Sequence, residues 1–204
     1  APASELKGRK GIIISGGPGS VYEADSSQID PAVLESRAPV LGICYGQQLM
    51  AHVLGGKVRK GTKGEYGLAV LDPLDSTDLF EGAAGSQQIW MSHRDTVEEV
   101  PAGFAVAGRT GTCAIAAMVD RDRRLYGVQF HPEVVHTANG RRILENFVFR
   151  ICGCKPDWDP KHRVPLIERQ IRETVGDRNV FFFVSGGVDS TVAYTLCLRA
   201  LGDD

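Results

Sequence analysis

The chain has 204 residues, with 43% hydrophobic and 24% charged residues and a formal net charge of −2, which excludes disordered, collagen-like and mucin-like classes. The balance of 23 Lys and Arg against 25 Asp and Glu argues against nucleic acid as a partner, because such binders gather a basic excess on one face. Five cysteines, an odd number, fit a reducing compartment, and no stretch has the apolar length of a signal core or a membrane span, so a cytoplasmic protein without a membrane partner is expected.

The first apolar run, Gly11 to Ser15, reads as a buried strand that stops at Gly16-Gly17-Pro18-Gly19. Asp30-Pro31 then opens a short helix ending near Arg37, and Pro39 to Ile43 is a second buried strand. Tyr45 to Leu54 places Leu49, Val53 and Leu54 on one helical face and closes at Gly55-Gly56. From Glu65 to Phe130 the pattern is strand-rich, with runs at 65–71, 88–92, 104–109, 113–119 and 124–130. The densest basic stretch, Arg121, Arg123 and Arg124, reads as a solvated turn between two of these strands. A helix is expected from about Asn139 to Ile151, and the whole as an α/β core sheet carrying antiparallel additions.

Residues 1–153 therefore form one domain, and 154–204 a linker and the start of a second α/β unit. The linker is Cys154 to Pro160, rich in Pro and Asp. A helical pattern from Pro165 to Val175 leads to Val180-Phe-Phe-Phe-Val184, read as a fully buried strand, then a Gly-rich turn and a helix from Thr191 to Leu201.

Cys44 stands where the second strand meets the helix at Tyr45, in Gly42-Ile-Cys-Tyr-Gly46. Small neighbours allow the tight turn of a nucleophile elbow, and the helix N-terminus supplies unpaired N–H groups. Proton handling falls to His131, because in extended backbone His131 and Glu133 point the same way and Glu133 can fix the imidazole tautomer. Cys44, His131 and Glu133 thus form a triad of the acyl-transfer kind. Backbone N–H groups of Gly17 and Tyr45 can serve a tetrahedral oxyanion. No metal site is expected: Pro132 disfavours a helical His131/His136 pair, and Cys152-Gly-Cys154 lacks a second ligand pair. His52 reads as partly buried packing, and Cys113 and Cys197 as small core residues. The turn Ser185-Gly186-Gly187-Val188-Asp189-Ser190 offers consecutive N–H groups, two hydroxyls and a helix dipole, an anion cradle suited to phosphates; lacking a lysine, it calls for Mg²⁺ to neutralise their charge.

Taken together, Gly16-Gly17-Pro18-Gly19, Gly42-Ile-Cys-Tyr-Gly-Gln-Gln48, Trp90-Met-Ser-His93, Gly127-Val-Gln-Phe-His-Pro-Glu133 and Ser185-Gly-Gly-Val-Asp-Ser190 resemble the glutamine-hydrolysing GMP synthetases, from about Gly11 to the end of the chain. The amidotransferase motifs alone also suit anthranilate synthase, carbamoyl-phosphate synthetase or CTP synthetase; the pyrophosphate loop after them is what sets this family apart. The resemblance implies a class I amidotransferase-like open sheet with flanking helices, followed by the start of an ATP-pyrophosphatase domain of the adenine nucleotide alpha hydrolase kind. It implies that Cys44 attacks the glutamine carboxamide, that Gly17 and Tyr45 hold the oxyanion, and that His131, oriented by Glu133, protonates departing ammonia. Gln48, Ser92, His93 and Asp95 would hold the α-carboxylate and amino group. Ser185, Gly186, Gly187, Val188, Asp189 and Ser190 would bind ATP with Mg²⁺, so that ammonia aminates ATP-activated XMP to GMP in a homodimeric full-length enzyme.

The chain departs from the family's pattern at four places. A first strand and helix ahead of Gly11 and the XMP-binding and dimerising parts are absent, Arg94 stands where glycine is usual, and Gly64 stands where arginine usually precedes Glu-Tyr-Gly. The chain by itself is therefore expected to be inactive in the full reaction. Two other readings are a stand-alone glutaminase subunit of another amidotransferase, against which ATP binding at Ser185–Ser190 would count, and a non-catalytic module that binds glutamine or nucleotide.

Overall fold

The computed structural model describes residues 3–6, 8–61, 64–157 and 159–202. Two compact units result, Ala1–Cys154 and Lys155–Asp204. Among the described residues no helix is long and apolar enough to cross a membrane.

The first unit is built on strands β1 (Ile12–Ile14), β2 (Val40–Ile43), β3 (Lys57–Arg59), β4 (Glu65–Pro73), β5 (Gln87–His93), β6 (Thr96–Glu99), β7 (Ala105–Arg109), β8 (Ala117–Asp120) and β9 (Leu125–Val128). Seven of them make one sheet in the order β1-β2-β9-β8-β7-β4-β5, and β3 and β6 pair separately. Within the large sheet β1, β2 and β9 are parallel, while β8, β7, β4 and β5 add on antiparallel. This is the expected α/β core with antiparallel additions. The β3–β6 pair carries no sequence signal, because strands of three and four residues show no measurable alternation.

Every residue of β2 and β9 is buried, as both faces of a parallel sheet must be covered. One face packs Leu41, Ile43, Tyr126 and Val128 against Phe80, Phe130, Ile143 and Phe147. The other packs Val40, Leu125 and Met118 against Leu34, Leu49 and Met50. Each such side chain contributes roughly 1.5–3 kcal/mol by leaving water.

Helix α1 is shorter than expected, Ala32–Glu35, and Asp30 Oδ1 accepts from the Ala32 N–H at 3.0 Å. Helix α2 spans Tyr45–Val53 and crosses over from β2. The helix expected over 139–151 is α-helical only at Gly140–Glu145 (α3) and continues as a π-helical turn, Asn146–Ile151. Asn146 fixes this change of pitch by donating to the carbonyls of Leu79 and Glu81 at 3.0 and 2.8 Å.

In the second unit, helix α4 runs Pro160–Val175, so it begins inside the expected linker. Asp159 caps it through the Lys161 N–H at 2.9 Å, and a proline at the first helical position needs no N–H partner. Trp158 of that linker lies outside the described residues. Helix α5 spans Val188–Leu201, starting one turn earlier than expected. The expected buried strand Val180–Val184 does not form. No described residue of this unit is in a strand, so 180–184 has no ladder partner, and Phe181 and Phe183 are 85% and 87% exposed. An apolar run specifies burial; it does not supply the neighbouring strand on which a sheet depends.

Candidate active site

The three parallel strands end on one side of the sheet, and each delivers one part of the site beyond its C-terminus. β1 leads into Gly16 and Gly17, β2 into Cys44, and β9 into His131. Cys44 holds φ 52° and ψ −106°, an uncommon conformation for a side-chain-bearing residue that costs roughly 1–3 kcal/mol. Its neighbours explain how the turn is possible. A Cβ on Gly42 would lie 2.6 Å from the Gly46 carbonyl, and one on Gly46 would lie 2.2 Å from the Ile14 oxygen. Only hydrogen at both positions lets α2 start directly over the strand ends. The Cys44 N–H donates to the Val128 carbonyl at 2.8 Å, and its thiol faces the Ser92 carbonyl at 3.5 Å.

His131 is held from both sides of its backbone. Its N–H donates to the Trp90 carbonyl at 3.0 Å, while Thr137 donates to the His131 carbonyl at 2.6 Å and accepts from the Trp90 N–H at 3.1 Å. The ring's Nδ1 meets Glu133 Oε1 at 2.6 Å. Nε2 is buried with no hydrogen-bond partner among the described residues. A Cβ at Gly16 would approach both His131 Cε1 (3.1 Å) and Cys44 Cβ (3.5 Å), which places thiol and imidazole side by side above that glycine. Cys44 is the group that most raises the His131 pKa; burial opposes the shift, the Glu133 hydrogen bond adds to it, and the result is a value pushed up to about 9. Near neutral pH the imidazole therefore carries its proton, as a group that protonates a leaving amine requires.

Beside this pair lies a cavity of about 410 Å³ lined by Gly17, Ser20, Gln48, Ser92, Arg94 and Asp95 among others. Its volume suits a small amino acid. A profile of the family "Glutamine amidotransferase class-I" matches residues 1–151. The chain belongs to the class I glutamine amidotransferases. The "GMP synthase [glutamine-hydrolyzing]" of Symbiobacterium thermophilum is 54% identical over 197 residues, 96% of this chain and 38% of the relative. That of Geobacillus kaustophilus is 52% identical over 194 residues, again 38% of its length. The chain thus spans less than two fifths of the curated relatives it matches. A Thermoplasma acidophilum protein solved by crystallography, described as one subunit of a GMP synthase, is 32% identical with a TM-score of 0.65 over 74% of this chain and 76% of that one.

In this amidotransferase the four residues expected to hold glutamine all line the cavity, but three have polar groups engaged with the protein itself. Gln48 Nε2 donates to the Asp95 carbonyl at 2.6 Å and to Gln129 Oε1 at 3.1 Å. The buried His93 ring lies between the Asp95 carbonyl at Nδ1 (3.0 Å) and Glu65 Oε2 at Nε2 (3.2 Å). The Asp95 carboxylate receives the Ser20 hydroxyl at 2.5 Å and the Gly61 N–H at 3.2 Å. Asp95 therefore ties together the loops after β1, β3 and β5. Gly17 and Tyr45 lie together, since a Cβ on Gly17 would be 3.7 Å from the Tyr45 ring, and that ring is turned away by its hydroxyl's 2.6 Å bond to the Ser27 carbonyl. The Tyr45 N–H opens α2, where no intrahelical acceptor exists.

Sequence reasoning missed Ser20, Glu23, Lys60, Gly61 and Tyr66, which complete the cavity wall. Only a polar residue after a glycine turn signalled Ser20; the others carry no local motif. His52, expected to be partly buried, is exposed with its ring edge-on to Tyr22 at 5.1 Å.

In the second unit the Ser185–Ser190 turn is solvent-facing. Gly186 has φ +82°, and a Cβ there would meet nothing within 4 Å. The Ser185 and Ser190 hydroxyls are 3.1 Å apart, and Ser190 and Thr191 donate to the Gly187 carbonyl at 3.0 and 2.9 Å. No side chain caps α5, so its first N–H groups are open to an anion, and no lysine or arginine stands within the turn.

Proposed function

We propose that the chain carries the glutamine-hydrolysing centre of a cytoplasmic GMP synthase and the beginning of its ATP-binding part. The observation that carries the reading is Cys44 on a strained elbow beside an imidazole whose far nitrogen is 2.6 Å from Glu133.

Cys44 Sγ attacks the carboxamide carbon of glutamine, and the carbonyl oxygen becomes an oxyanion received by the N–H groups of Gly17 and Tyr45. His131 gives its proton to the amide nitrogen, the C–N bond breaks, and ammonia departs from a glutamyl thioester. Water then attacks the thioester carbon while His131 takes its proton, and glutamate leaves with Cys44 restored. Glu133 keeps Nδ1 protonated, so that Nε2 is the nitrogen that exchanges protons at the reacting centre. Ser92 and the residues around Gln48, His93 and Asp95 shape the rest of the glutamine pocket.

The open turn Ser185, Gly186, Gly187, Val188, Asp189 and Ser190 fits the phosphates of ATP, with backbone N–H groups and the two hydroxyls as donors. Mg²⁺, when bound with ATP, would neutralise phosphate charge, and Asp189 is the carboxylate nearest to hand in the turn. ATP activates XMP by adenylation, and the ammonia displaces AMP to leave GMP. The names of the relatives and the presence of both motifs in one chain support this pairing of reactions, in a protein longer than the chain described.

The test is a full-length protein assayed for GMP with either nitrogen donor. Cys44→Ala should abolish the glutamine-driven reaction and spare the ammonia-driven one. Equal loss with both donors would remove Cys44 from the role given to it, and failure of the unaltered protein to use ATP and XMP would leave glutamine hydrolysis alone.

A further inference from the structure

Arg94 is a charged cavity-wall residue to which the mechanism gives no task. It follows Ser92, whose carbonyl meets the Cys44 thiol, by two residues, so their Cα atoms are within about 7 Å. Its backbone is fixed by Gly61, where a Cβ would lie 1.8 Å from the Arg94 carbonyl oxygen. Its exposed guanidinium lies within electrostatic reach of the Tyr66 side chain, with Glu23 and Asp95 as the nearby carboxylates. Neither carboxylate forms an ion pair with Arg94 among the described residues, and both Asp95 oxygens are already committed to Ser20 and Gly61. Tyr66 reaches this position because residue 64 is glycine: a Cβ there would lie 2.1 Å from Tyr66 Cε2. Two of the positions at which the chain departs from the family pattern, 64 and 94, are thus joined through one tyrosine ring.

Glutamine's carboxamide and α-carboxylate carbons are about 5 Å apart when the side chain is extended. With the carboxamide at Cys44, the carboxylate falls within the arm's length of Arg94. A guanidinium is a planar fork that grips a carboxylate through two parallel N–H···O bonds, which a lysine in the same place does not reproduce.

We propose that Arg94, oriented by Tyr66 across Gly64, binds the α-carboxylate of glutamine and so sets the preference of the site for a free amino acid. The proposal rests on the glutamine reading above.

The test is calorimetric binding to the full-length protein carrying Cys44→Ser, with glutamine and with 4-aminobutanamide, which is glutamine without its α-carboxylate. Arg94→Gly should weaken glutamine about tenfold or more, as loss of a charged hydrogen-bond partner does, and leave 4-aminobutanamide unchanged. Arg94→Lys should recover part of the loss. Tighter or equal glutamine binding in Arg94→Gly would mean that the side chain crowds the site, and an equal loss for both ligands would mean a structural role; either overturns the proposal. A greater loss from Lys60→Ala, on the same wall, would move the contact to that residue and overturn it too. If glutamine does not bind and the protein with Cys44 intact releases no ammonia from it, the glutamine reading itself fails, and the Arg94 contact with it.

Discussion

The chain contains two strand-like runs that end in a glycine turn and a helix, and they have different outcomes. At Gly42–Gly46 the turn is buried, its glycines press on Ile14 and on each other, and β1 and β9 flank the strand that feeds it. At Ser185–Ser190 the turn is exposed, and the apolar run before it has no strand neighbour among the described residues. The comparison separates two requirements of a site. Local sequence sets the shape of a turn, but neighbouring strands hold it rigidly enough to aim a side chain. An anion cradle made of backbone N–H groups demands less of its surroundings than a nucleophile that must meet an imidazole.

The sharpest way to break this contrast is at Cys44. Cys44→Ala should lower ammonia release from glutamine on the order of 10⁶-fold, in the range seen when a covalent nucleophile is removed, while leaving nucleotide binding at the second turn intact. Coupled ammonia detection and ATP binding on the same preparation check both halves.

Next comes the packing of the two turns. Gly46→Ala must push a methyl against the Ile14 backbone and should cost about 3 kcal/mol, read from the urea midpoint. Gly187→Ala, whose Cβ would sit 3.6 Å from Ser185 Oγ, should change stability by less than about 0.5 kcal/mol. Similar costs at the two positions would erase the distinction between a pinned and an open turn.

Glu133→Gln should reduce the glutamine reaction about 10²-fold, at the lower end of what a positioned proton-transfer group supplies. The smallest expected effect is on pH dependence. His131 titrates at about 9 in the folded protein and near 6.5 when unfolded, so its stabilisation is full below about 6.5 and is lost as pH rises through about 9. Melting temperatures across that window should fall more for the unaltered protein than for His131→Gln. A parallel decline in both would assign the loss to other groups.

Much of the first unit is legible in the sequence because its signals are local. The elbow is five consecutive residues, and His131 and Glu133 are only two apart, so their meeting at 2.6 Å is a local event; it is made by a turn at Pro132 and Glu133, beyond the end of β9, and not by the extended backbone expected there. What sequence does not supply is contact between distant segments. Ser20 and Asp95 are 75 residues apart, and no motif announces that their side chains meet. Asp159-Pro160 reads as linker by its composition, but the capping bond to Lys161 makes it a helix start. The run Val180–Val184 misleads because apolar composition reports a demand for burial without showing what meets it.

The Asp95 carboxylate has a consequence for how the cavity opens. It stitches Ser20, Gly61 and its own turn into one knot, and Gln48 adds a fourth point of attachment through the Asp95 carbonyl. Loops that stand far apart along the chain are therefore expected to open together. The Gly61 amide, though on a surface loop, should then exchange its hydrogen in step with the amides around Ser20 and Asp95, and faster exchange would mean that its loop opens alone. On this account the rim of the pocket is a single plate, and a single peptide proton times its breathing.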